Sequence, residues 1–424
     1  MFRHIVGVLL ALAVAGVARA ADQPQYGPAP PWVKPVAIPP PAKAGGAAVQ
    51  VLLRNDQMAF EPDGDAFYSE SAKQVVSEQG LPLVGNIILT WQPSTDTLTI
   101  HRLEIIRGSQ TIDLTDGGKS VTVLRREPDL ERAMLDGSLT ATIQPEGLQV
   151  GDVVHIAYTI KRSDPVLGGR SEGFWVLGSA GVGHAYMRAL WPASKTMTWR
   201  ATEGVAAPAV DRAGGGGGEL VVDMSDTQSP NAPAGAPARY DDLGQLQLSE
   251  FKTWSDVAAI MAPLYAKAAT LGPDSAVRAE AKQIAASTAD PGERTLKALE
   301  LVQSNIRYLF LGMGQGGLTP ADADVTWARR FGDCKAKTAL LLALLRELGV
   351  EAEPALVSTT LGDGLDQRLP NVELFDHVVV RAVVGGKGDR PRPRRATRRR
   401  RGPADQARIR QRPGAGPDRA RQAG

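Results

Sequence analysis

The sequence contains a single cysteine, Cys334. One thiol excludes an intrachain disulfide framework and any cysteine-built zinc ribbon. Histidine is nearly as scarce: five residues, at positions 4, 101, 155, 184 and 377. No two are close in sequence, so no HExxH zinc site exists. The GxxxxGK(S/T) loop of a P-loop nucleotidase is also missing. Aromatics make up only 5% of the chain. Beyond the N-terminus no stretch of 18 apolar residues occurs, so the mature chain is expected not to span a membrane.

Turn-forming residues, by contrast, are plentiful: 45 glycines and 30 prolines among 424 residues. The net charge of +2 conceals a division. Residues 387–424 carry 14 lysines and arginines against three aspartates, whereas residues 21–386 sum to about −11. An acidic body argues against nucleic acid as a partner. Residues 1–20 combine Arg3, an apolar run from Ile5 to Val17 and Ala18-Arg19-Ala20, the pattern of a cleavable signal peptide. Thirteen apolar residues span only about 20 Å as a helix, short of a bilayer core of roughly 30 Å. The expected destination is a bacterial periplasm or the exterior.

Composition divides the rest. Residues 21–48 are a Pro-rich arm or linker that Trp32 and Val33 can dock on a sheet. Residues 49–240 are β-rich: GNIILTW at 85–91, TLTIHRLEII at 97–106, SVTVLRR at 120–126 and VVHIAYTI at 153–160, with turn residues between them. Many short strands with frequent turns predict an all-β, sandwich-like domain. The five glycines at 214–218 read as a hairpin tip between MTWRA and ELVVDM. From 250 to 384 the pattern becomes α+β. Thr253 and Asp256 offer a capping box, and Asp290-Pro291-Gly292-Glu293 is a helix start. A long, largely buried helix occupies 331–350, followed by strand-like PALVST and HVVVRAVV. Residues 385–424, with 13 arginines and one large apolar residue, Ile409, cannot bury a core and are expected to be disordered. Their abrupt composition suggests translation of GC-rich DNA in a shifted frame.

Among candidate sites, GRSEG at 169–173 matches GxSxG, but no helix pattern follows Ser171 as a nucleophile elbow requires. GMGQGG at 312–317 matches GxGxxG, yet Thr319-Pro320 interrupts the helix a dinucleotide site needs. His101 and His155 lie within strands and read as satisfied sheet residues. Cys334 stands apart. Asp333 can cap the helix it opens, which puts the thiol in the first turn, where free N–H groups and the helix dipole favour a thiolate. Lys335 and Lys337 add positive charge. His377, at the start of a strand 43 residues on, is the candidate base in the same half of the chain. Asp376 is poorly placed to orient it, because adjacent strand residues point to opposite faces.

FGDCKAKTALLLALLRELGVEAEPALVST followed by FDHVVVRA resembles the core of the transglutaminase-like superfamily. The bacterial branch resembled has a GDCKDK signature and an N-terminal β-rich domain of unknown function, together covering roughly residues 30–385. The resemblance implies a papain-like α+β core, Cys334 as nucleophile and His377 as general base. It also implies that the Cys334 backbone N–H forms part of an oxyanion hole, with Gln315 or Tyr308 as side-chain partner. No metal or cofactor is implied. Two departures stand out. Ala336 replaces the Asp of the signature, and the acid expected on the strand after the His strand is missing; only Asp389, Asp405 and Asp418 follow. The expected function is acyl transfer or amide hydrolysis on a peptide or protein. The alternative is a catalytically incomplete envelope binding module.

Overall fold

The computed structural model describes residues 22–384 except 42–45, 116–120, 126, 128–129, 178–180, 212–216, 229–234, 238–239, 241–243 and 313–316. The expected signal peptide and the Arg-rich tail lie outside the described residues, as does Gln315. No helix among the described residues is long and apolar enough to cross a membrane.

One long sheet organises the first half of the chain. Its central strands are Asp96–Arg107, Val153–Arg162, Gly64–Val75, Val49–Glu61, Val182–Trp191 and Gly218–Ser225, in that spatial order. Val49–Glu61 and Val182–Trp191 run parallel; the other neighbours among these are antiparallel. Met58, Phe67, Ile160 and Leu98 stand opposite one another across four strands, so they share one face. Two three-stranded sheets pack on that face. Ile87–Trp91, Leu139–Ile143 and Val121–Arg125 enclose a core containing Trp91, Leu98, Ile100 and Ile143. Glu172–Val176, Gln245–Ser249 and Thr198–Ala201 enclose another around Met58, Phe60, Met187 and Leu248. A single helical turn, α1 (Leu81–Val84), fills one corner. The expected layered β architecture is therefore present. One pairing differs: MTWRA joins Gln245–Ser249, and the partner of the strand after the glycines is Ala209–Asp211.

The opposite face of the long sheet is polar, and the Pro-rich arm crosses it. Gln25–Tyr26 adds a parallel strand beside Thr99 and Ile100. The Gln57 carboxamide bonds both the N–H and the C=O of Lys34, and Arg188 donates to Trp32 O at 2.5 Å. Val36 and Ile38 then pack against Leu52, Leu53 and Ala72. Proline fixes an extended backbone and leaves few N–H groups to satisfy, so side chains of the sheet supply the polar contacts.

From residue 250 onward helices dominate: α2 (Trp254–Ala268), α3 (Ala276–Ser287), α4 (Pro291–Asn305), α5 (Ala323–Arg329) and α6 (Cys334–Glu347). The capping box forms as the sequence indicates, with Thr253 and Asp256 reciprocally bonded. Asp290 caps α4 through the Glu293 N–H. Helix α6 is apolar nearly all round, with Leu340, Leu344 and Leu345 fully buried, because α2, α3, α4 and α5 surround it. Each such leucine contributes roughly 1.5–3 kcal/mol by leaving water. The hairpin Glu351–Val357/His377–Val383 closes the remaining side, with Val357 opposite His377.

Candidate active site

The N-terminus of α6 is fixed by small residues and one carboxylate. The Asp333 side chain accepts the Ala336 N–H at 2.9 Å and also pairs with Lys335. Lys335 is buried, and its ammonium lies 4.5 Å from the centre of the Phe310 ring. A Cβ on Gly332 would stand 2.7 Å from the Ala336 methyl, so these two positions require small side chains together. Ala336, where the signature has Asp, is 1% exposed.

Cys334 is half-buried at the wall of a cavity of about 240 Å³, and His377 lines the same cavity. The two therefore face one cavity at the junction of α6 and the second strand of the hairpin. The Val378 backbone N–H, one residue beyond His377, lies near enough to the Cys334 sulfur to favour its ionised form. The Tyr308 hydroxyl faces the sulfur as well, and burial with the nearby thiol pushes Tyr308 up to about 12. Tyr265, Phe375 and Met134 complete the apolar lining. Met134 comes from the β-rich half, which is tied here by the Phe310 N–H donating to Ala133 O. The cavity shares Met261, Tyr265, Leu356 and Phe375 with an adjoining apolar groove of about 660 Å³.

The charge state of the thiol is opposite to the one its helix position suggests. Burial pushes Cys334 above the ordinary thiol value, and Asp333 adds to the rise. Lys335 and the N–H groups of Val378 and Lys335 oppose it but do not prevail. Lys337 gives little help: its ammonium bonds Ile306 O, and burial lowers its own pKa. Asp376 is occupied by Thr359, which donates from its N–H at 2.7 Å and its hydroxyl at 2.6 Å. Asp376 lines the same cavity, but its carboxylate is engaged by Thr359.

Of the other candidates, GMGQGG lies mostly outside the described residues; the rest are structural. Ser171 is fully buried, donating to Asp65 at 2.6 Å and accepting from Lys195 at 2.7 Å. A Cβ on Gly173 would press on Met58 Sδ, so the second glycine of that motif serves packing. His155 is held between Glu104 and Glu70, and His101 bonds Gly27 O and Thr159. What the sequence did not reveal is a set of contacts from the β-rich half to the turn before His377. Glu172 accepts the Val372 and Glu373 N–H groups, Gln247 accepts that of Leu369, and Ser249 donates to Pro370 O.

A family model described as a domain of unknown function with a solved structure (DUF3857) matches residues 63–231, within the β-rich half. No curated protein matches the chain. In three dimensions the chain is similar to the crystal structure of a proposed protease from Parabacteroides distasonis, with a TM-score of 0.65 and 13% identity over 80% of this chain. The likeness extends over 65% of that protein's length.

Proposed function

We propose that this chain is an exported, transglutaminase-like cysteine acyltransferase or peptidase that acts on peptide or protein amides. The observation that carries the reading is the convergence of Cys334, His377 and Tyr308 on one cavity at the start of a buried helix. The papain-like assignment rests on the GDCK and HVVV segments, and the likeness to a proposed protease is consistent with it. Cys334 Sγ attacks the amide carbonyl while His377 takes the thiol proton. The Cys334 N–H, which points at the Tyr308 oxygen at the helix N-terminus, and the Tyr308 hydroxyl serve the developing oxyanion. His377 returns the proton to the leaving amine, which departs and leaves a thioester. Water or a second amine then adds, His377 removing its proton and handing it to the departing sulfur. Water as acceptor gives a peptidase; an amine gives a transferase.

One observation favours a second reading. The nearest carboxylate in sequence, Asp376, is bonded to Thr359, and among the described residues no carboxylate bonds the His377 imidazole, where the superfamily pattern supplies an orienting acid. On that basis the chain binds peptides in the envelope without turning them over. Hydroxylamine trapping on a library of peptide amides separates the two, because hydroxamate forms from any thioester. Under the first reading Cys334→Ala abolishes hydroxamate, and His377→Ala lowers its rate by about 10²–10⁴. Peptide binding with no hydroxamate from the parent chain supports the second reading; turnover unchanged in Cys334→Ala refutes the first.

A further inference from the structure

We propose that Glu172, in the β-rich half, is a positioning residue for the Cys334–His377 site, holding the turn from which the His377 strand starts. The inference rests on the cysteine-site reading above. It begins with the four contacts across the junction. Oε2 of Glu172 accepts the Val372 N–H at 2.9 Å, and Oε1 accepts that of Glu373 at 3.2 Å. Gln247 Oε1 takes the Leu369 N–H at 2.8 Å, and Ser249 Oγ donates to Pro370 O at 2.6 Å. Arg162 closes the set on Glu373 at 2.6 Å. Ser249 lies directly opposite Glu172 in its sheet, so one rigid ladder presents both groups.

The turn so held supplies the cavity. Val372, Phe375 and His377 line it, and the N–H of Val378 lies near the nucleophile. The Glu373 N–H also bonds Asn371 Oδ1 at 2.7 Å, so the N–H that depends on Glu172 is that of Val372. A backbone N–H left unpaired in a buried setting is costly, so losing the carboxylate moves the turn. Displacement of about 1 Å at such a distance from the reacting atoms is enough to cost about 10²-fold in rate. Keeping a carboxylate 6% exposed, where burial pushes it up to about 7, is unfavourable for the fold by itself.

The test reads the coupling of the two site residues rather than turnover. The full chain is labelled with ¹³C-histidine, His377 is assigned with His377→Ala, and its ring chemical shift is compared at one pH with and without Cys334→Ala. In the parent chain, removing the thiol is expected to displace the His377 signal, because both side chains line one cavity. In Glu172→Ala the same removal is expected to leave the signal nearly in place, and amide exchange over residues 369–378 is expected to accelerate. Glu172→Gln, which keeps one accepting oxygen, should fall between. Glu70→Gln, in the buried cluster around His155, should lower the melting temperature and leave the coupling intact. A coupling that survives Glu172→Ala, or is lost equally in Glu70→Gln, overturns the positioning role. Absence of coupling in the parent chain refutes the Cys–His pair itself. Should Glu172→Ala fail to fold, Glu172→Gln and Gln247→Ala carry the same comparison.

Discussion

Replacing Glu172 by glutamine should flatten the dependence of stability on pH. The ordinary glutamate value is 4.5, and in the fold burial pushes Glu172 to about 7. Glu373 adds to the rise, while Arg162 and the N–H groups of Val372 and Glu373 oppose it. Because the folded value is the higher one, the folded chain holds the proton that the unfolded chain releases between about pH 4.5 and 7. Stability therefore falls as pH rises through that interval, and the full penalty is present above it. At about 1.4 kcal/mol per pH unit, the interval is worth about 3 kcal/mol. Glutamine has no proton to lose and nearly the same shape. Urea unfolding at pH 5 and pH 8, followed by tryptophan fluorescence, should show that the parent loses about 2.5 kcal/mol more than the variant across this range. Asp65, likewise pushed up to about 6 by burial, remains in both chains and leaves a smaller common slope. The acceptor lost in the variant enters as an offset above the titration. Parallel stability curves for the two proteins would refute the argument, because they would mean that the carboxyl group is as well solvated folded as unfolded.

Three further outcomes follow from the geometry. Tyr308→Phe removes the hydroxyl facing Cys334 and should lower the rate of hydroxamate formation by about 10²–10³, with little change in KM; an unchanged maximal rate would show that the hydroxyl does not reach the oxyanion. Leu340→Ala, at a fully buried position of α6, should destabilise the chain by about 2–5 kcal/mol in urea titration; a loss under about 1 kcal/mol would mean that the helix is not the centre of its core. Gly332→Ala brings a methyl group 2.7 Å from that of Ala336 and should displace the start of α6. Its signature is slower alkylation of Cys334 by iodoacetamide together with a lowered melting temperature, because neither methyl can rotate away, and a parental alkylation rate would contradict it.

What the sequence disclosed, and what it concealed, divide by distance along the chain. The Thr253–Asp256 box and the Asp290 cap are legible because donor and acceptor lie three residues apart. His155 reads as a satisfied sheet residue, although only the folded sheet brings Glu70 and Glu104 to its two nitrogens. The hairpin expected at the glycine run fails in its partner because strand choice is non-local: MTWRA pairs with Gln245–Ser249, which is more than 40 residues further along the chain. The same limit applies at the site. The cap, the small residues and the lysines around Cys334 are all local and all argue for a thiolate. Burial by Tyr265, Phe375 and Val378, drawn from distant segments, reverses the sign. Glu172 is 200 residues from the turn it holds, and nothing in GRSEG points to it. The reversal has a consequence for the proposed chemistry. A thiol that is neutral at rest cannot rely on its helix terminus for activation, so His377 must take the proton as the sulfur attacks. The imidazole's placement then governs the rate, and that placement depends on the turn which the β-rich half holds from across the junction.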